Sequence, residues 1–110
     1  MKKIQICKDL TISAKIFTNT WKELEKFFGV PIGRFHEVSE EKTQKIADQE
    51  EIVYILVCQD NDISKEEMIK LIDHDPDPQN NVIMAFLKIM DLFPKADAVK
   101  EGGNKGNQKK

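Results

Sequence analysis

Sulfur, glycine and long apolar runs are all scarce in this chain, and each scarcity removes a class of protein. Two cysteines, Cys7 and Cys58, cannot build the disulfide framework of a small secreted scaffold, so reduced thiols in a cytoplasm are expected. The longest unbroken apolar run, at 52–58, is far shorter than the roughly 20 residues that cross a bilayer, so no membrane span is expected. The opening Met1-Lys2-Lys3 carries charge but is followed by no hydrophobic stretch, so export is not indicated. Five glycines offer no phosphate cradle: Gly29-Val30-Pro31-Ile32-Gly33-Arg34 lacks both the spacing and the lysine, and the proline removes one amide. What is present suffices for one folded unit. The chain has 110 residues, of which 40% are hydrophobic and 33% charged, enough apolar surface for one core and too little length for two.

Charge is divided unevenly. The formal net charge is −2, but 95–110 holds five lysines against Asp97 and Glu101, a surplus of +3. The remainder holds twelve basic and seventeen acidic residues, −5. The tail has no aromatic residue and one β-branched residue, so a flexible, solubilising segment is expected. Without arginine or aromatics it is a poor reader of nucleic acid, and no nucleic-acid partner is expected.

Periodicity supplies the elements. Ile4 and Ile6, then Leu10, Ile12, Ala14 and Ile16, alternate with polar residues across the Lys8-Asp9 step, which predicts a β-hairpin. Trp21, Leu24, Phe27 and Phe28 form one helical stripe, expected to rest on the hairpin. Thr20 with Glu23 fits a capping box for that helix, with Thr18 or Asn19 as other caps, and Gly29 supplies the stop. Residues 30–38 read as a loop, with Ser39 preceding Glu40 and Glu41 at a helix start. Local propensity leaves 52–58 open between strand and helix. With no glycine or proline to interrupt it, one helix over 41–59 is preferred, placing Ile46, Val53, Leu56 and Val57 on one face. Ser64 with Glu67 opens a short helix carrying Met68, Ile69, Leu71 and Ile72. Asp77 as cap and Pro78 at the first turn then begin a last helix that runs to Phe93 and is stopped by Pro94. The expected fold class is α+β, mainly α-helical: a short N-terminal β-hairpin, about four helices, and a disordered basic tail. Residues 1–94 would form a single small globular domain and 95–110 the tail.

Catalytic chemistry is hard to find. Asp73, Asp75 and Asp77 copy the first acidic positions of a calcium loop, but Pro78 stands where that loop needs glycine and Met84 where it needs a bidentate carboxylate. His36 and His74 each lack a second ligand at metal spacing. Cys58, inside an apolar run, reads as a small core residue rather than a nucleophile. Adjacent acidic pairs such as Glu50-Glu51 do not share a helix face and read as solvated charges. No catalytic residue, metal, cofactor or small-molecule substrate is expected.

The last helix is the exception to this blandness. Between Val82 and Phe93 only Lys88 and Asp91 are polar. A helix on a small domain needs an apolar stripe about 100° wide, and this one has more. An intermolecular hydrophobic contact is therefore expected, with Ile83, Phe86, Leu87, Met90 and Phe93 as candidate partner-binding residues, in a homo-oligomer or with another protein.

The order of elements, together with Leu24-Glu25-Lys26, Gly29-Val30-Pro31, the apolar run at 52–58, Asp60-Asn61-Asp62 and Ser64-Lys65-Glu66-Glu67-Met68, resembles the tail assembly chaperones of long-tailed bacteriophages and prophages. The likeness spans roughly 1–93 and consists of patterns of residue class. The Asp-Pro-rich turn at 73–78 and the tryptophan of the first helix depart from it. It implies a non-enzymatic protein of the host bacterial cytoplasm that binds the tape-measure protein, keeps it soluble, and helps tail-tube protein assemble around it. In such proteins a longer product often arises by frameshifting near the end of the reading frame, with which Lys109-Lys110 is compatible. The alternative is a small acidic regulatory or anti-defence protein that binds a host protein.

Overall fold

The computed structural model describes residues 2–77 and 81–93. Its architecture is α+β and mainly helical: an N-terminal hairpin followed by five α-helices. The expected flexible tail at 95–110 and the helix stop at Pro94 lie outside the described residues, as does Pro78.

Strands β1 (Lys3–Cys7) and β2 (Leu10–Ser13) pair antiparallel, with Ile4 opposite Ile12. The register slips between Gln5 and Cys7, so that Cys7 lies opposite Leu10. Such an irregularity breaks the two-residue alternation of side chains, and Ile6 and Cys7 are accordingly both buried although they are neighbours.

Helix α1 (Thr18–Phe28) starts without a side-chain cap. Phe17 occupies the cap position, and Thr20 lies buried within the first turn, which corrects the expected capping box. A tertiary bond sets this start instead: the Phe17 N–H donates to Gln59 Oε1 at 3.2 Å. The stop is as expected, with Gly29 in the left-handed region (φ 76°) and its N–H bonded to the Glu25 carbonyl. Leu24 and Phe28 are buried and Trp21 and Phe27 half-buried, but the main partners of α1 are α2 and α3. The hairpin is covered by α3, α4 and α5.

Residues 30–38 are not a plain loop. The Glu25 carboxylate accepts the Ile32 N–H at 3.0 Å, and a 3-10 turn (Ile32–Arg34) leads directly into α2 (Phe35–Lys42). Phe35 is the only buried residue of α2 and fastens it to the core. The single helix expected over 41–59 is broken at Thr43. The Thr43 hydroxyl donates back to the Ser39 carbonyl, a bond that competes with helix propagation. The Thr43 carbonyl accepts from Gln49 Nε2 at 3.0 Å rather than from a following helical amide. Lys45 is extended, and α3 (Ile46–Cys58) begins anew.

Helix α3 settles 52–58 as helix. Ile52, Val53, Leu56 and Val57 are buried along one stripe, whereas Ile46, at the first position after the break, is exposed. Cys58 is also exposed, not a core residue, because it lies off that stripe in the last turn. Helix α4 (Lys65–Asp73) begins at Ser64, whose hydroxyl accepts the Glu67 N–H at 3.1 Å as the spacing predicts. Helix α5 (Val82–Met90) begins later than expected and ends earlier. Its cap is Asn81, whose side chain accepts the Met84 N–H at 3.1 Å, while Asp77 lies in the preceding bend with its N–H on Asp75 Oδ1. After Met90 the chain turns, and Phe93 folds back into the core.

Aromatic rings join the distant parts. Phe35 lies 4.5 Å from Phe28, 5.9 Å from Phe93 and 6.0 Å from Trp21, between ring centroids. Helices α1 and α2 and the segment after α5 are thus closed around one cluster, at separations where tilted rings attract.

Side chains also close the outer edge of β2. The Ala14 N–H points toward β1, bonding the Lys2 carbonyl, so alternate residues face away. On that outer side Asn61 donates to the Thr11 carbonyl and Gln59 Nε2 to the Lys15 carbonyl, while the Asp60 carboxylate accepts the Ser13 N–H. Three consecutive residues at the end of α3 thereby take the place of a third strand and leave little edge for another chain to join.

Candidate functional site

Five residues of the last helix and its exit were expected to bind a partner, and the fold divides them. Phe86 and Phe93 belong to the interior. Met90 is half-buried against the core. Ile83 and Leu87 face outward, 44% and 52% exposed. The division follows from helical geometry: Val82, Ala85, Phe86 and Ile89 make the buried stripe of α5, and Ile83 and Leu87, four apart, make a second stripe beside it. Lys88 curls the other way and donates from Nζ to the Gln5 carbonyl at 3.0 Å, occupying part of the outer edge of β1.

A third outward apolar residue, Ile46, is 56% exposed, although a single helix over 41–59 puts it on one face with Val53, Leu56 and Val57. The signal missed was the polar Thr43-Gln44-Lys45 step, which ends one helix and makes Ile46 the first, poorly covered residue of the next. Ile46 and Glu50 of α3, Ile69 and Asp73 of α4, and Asn81, Val82 and Ile83 at the start of α5 line one open groove of about 250 Å³. Four of these seven residues are apolar, and among the described residues the charged side chains lining the groove are two carboxylates.

The remaining chemistry is dispersed. Among the described residues no three His, Cys, Asp or Glu side chains converge as a metal site would require. The Asp75 carboxylate accepts the backbone N–H groups of Lys8 and Asp77, so it serves to fasten the turn to the hairpin. His36 and His74 are exposed and far apart in sequence, and His74 Nδ1 lies 2.7 Å from the Lys70 carbonyl. No helix among the described residues is long and apolar enough to cross a membrane.

The two thiols differ sharply in access. Desolvation by burial holds Cys7 above its ordinary value, with the Asp75 and Asp9 charges adding to the effect against backbone hydrogen bonds that oppose it. Tyr54 is likewise raised, first by its hydrogen bond with the Cys58 side chain. A thiol reagent added to the native protein at pH 8 is therefore expected to titrate Cys58 at once and Cys7 only as the domain opens. Two thiols reacting at equal rates would contradict this burial pattern. The raised Cys7 value also has a pH consequence. The neutral thiol is favoured in the folded state, so its contribution is fully present below the unfolded value of 9.0 and is lost as pH rises through the folded value.

No family model, curated protein or solved structure matches this chain.

Proposed function

We propose that this protein is a non-enzymatic assembly chaperone of the phage-tail type, which holds the tape-measure protein by the outward stripe of α5 and assists tail-tube assembly in the bacterial cytoplasm. The observation that carries this reading is the pair Ile83 and Leu87, two large apolar side chains left in solvent on the most apolar helix of the domain. Leaving such residues exposed costs solubility, and a transient partner that covers them offsets that cost. The acidic-mimic alternative has less support, because the Glu23–Lys26, Arg34–Glu37 and Glu51–Lys65 ion pairs set cations among the carboxylates.

The test is co-purification of the full chain with the tape-measure protein encoded beside it. Wild type is expected to retain it. Ile83→Asp and Leu87→Asp are expected to lose at least about tenfold in affinity, as truncation of an apolar anchor does. Both positions are solvent-facing, so each variant should keep its folding stability within about 0.5 kcal/mol. Unchanged retention by both variants would remove α5 as the binding surface, and no retention by wild type would remove the chaperone reading.

A further inference from the structure

We infer that the groove between the starts of α3 and α5 is a docking site for an amphipathic helix whose apolar stripe is flanked by lysine or arginine. This deepens the partner-binding reading above and rests on it. Ile46, Ile69, Val82 and Ile83 come from three different helices and give the groove an apolar lining. The apolar strip does not stop there, because Leu87 continues it one turn along α5 from Ile83. An apolar ridge stepping four residues at a time along a helix is the shape that the i, i+3, i+4 and i+7 anchors of another helix fit.

Strand addition is the other common way to capture a peptide, and here it has little room. The outer edge of β2 is filled by Gln59, Asp60 and Asn61. On β1 the Lys88 ammonium already holds the Gln5 carbonyl.

Charge decides among helical occupants. Glu50 and Asp73 reach the groove from two different helices, and among the described residues no lysine or arginine lines it. A helix with cations beside its apolar stripe meets both carboxylates, whereas an acidic helix meets like charge. A second copy of this chain is disfavoured on the same ground, since two-fold pairing would bring each groove's carboxylates against their own counterparts. The chain's own 95–110 is basic but offers Val99 as its only apolar residue larger than alanine.

The test uses the full chain, methyl-labelled at isoleucine, and two blocked helical peptides with leucines at i, i+3, i+4 and i+7. One has lysine and the other glutamate at the remaining positions. The lysine peptide is expected to shift the Ile46, Ile69 and Ile83 methyls and the glutamate peptide to leave them in place. Glu50→Lys/Asp73→Lys should weaken the lysine peptide about tenfold and admit the glutamate one, two surface charge pairs being worth that much. Equal binding of both peptides to wild type would overturn the proposal without recourse to any variant. So would methyl shifts that saturate with protein concentration alone, which would assign the groove to a second copy. Lysine-peptide binding that survives the double reversal but is abolished by Leu87→Asp would overturn the groove and leave the α5 reading standing. Loss of the tape-measure interaction by Leu87→Asp with no lysine-peptide binding at all would do the same.

Discussion

Phe35→Ala is expected to cost about 3–5 kcal/mol and to lower the melting temperature by about 15–30 °C. A domain of this size is stable by only about 5–15 kcal/mol, so much of the population would be unfolded at growth temperature. The magnitude follows from where the ring sits. Phe35 is 1% exposed and stands among Phe28, Phe93 and Trp21, so its removal opens a cavity walled by three rings from two other parts of the chain. It is also the one fully buried residue of α2, and half-buried Val38 is the other apolar side chain of that helix against the core. Loss should therefore have two stages: α2 releases first, then the cluster collapses. Hydrogen exchange would show the first as lost protection over Phe35–Lys42 under conditions where α3 stays protected. Trp21, the only tryptophan, lies 5.7 Å from Phe93 and reports the second by its emission. Phe35→Leu, which refills most of the space, should cost about 1–2 kcal/mol. A Phe35→Ala protein within about 1 kcal/mol of wild type in urea would mean that this cluster does not close the core.

The elements most legible in the sequence were those whose determinants are local. The hairpin was readable because Leu10 and Ile12 alternate with polar neighbours, and the end of α1 because Gly29 can take a left-handed backbone at little cost. Ser64 caps α4 through a bond to a residue three positions away, which spacing alone can reveal. The misread features were set by contacts distant in sequence. The start of α1 depends on Gln59, and the hairpin is covered by α3, α4 and α5 rather than by α1. The break at Thr43 depends on which groups claim its hydroxyl and carbonyl, and neither glycine nor proline marks it. The candidate binding surface was half legible for the same reason. An apolar excess on α5 is visible in composition, but helical period alone does not say which of two adjacent apolar stripes, the one with Val82, Phe86 and Ile89 or the one with Ile83 and Leu87, turns inward. Ile46 escaped notice because its exposure is a consequence of the unseen break.

The second large effect is expected at the edge of the hairpin, where Asp60→Ala should cost about 1–3 kcal/mol. Ser13 is fully buried, and its N–H, pointing away from β1, donates to the Asp60 carboxylate. Alanine would take the charged acceptor from this part-buried bond, and a hydrogen bond to a charged group is worth more than an ordinary neutral one. Asp60→Asn keeps the shape and an acceptor oxygen but not the charge, so it should recover roughly half of the loss. The Ser13 amide in Asp60→Ala should exchange with solvent far faster than in wild type while the core amides of α3 remain slow. A further consequence separates an edge-protecting role from a merely stabilising one. Removing Asp60 together with Gln59 and Asn61 exposes alternate donors and acceptors from Thr11 to Phe17, a ready template for another strand. That triple variant is expected to self-associate at micromolar concentration through β2, whereas Phe35→Leu, with a similar loss of stability, is expected to stay monodisperse at the same fraction folded. If both variants associate equally, instability alone drives the association. If only the clamp variant does, the end of α3 has a second task besides fastening the hairpin: it closes the sheet edge, so that partners are left with the apolar face of α5.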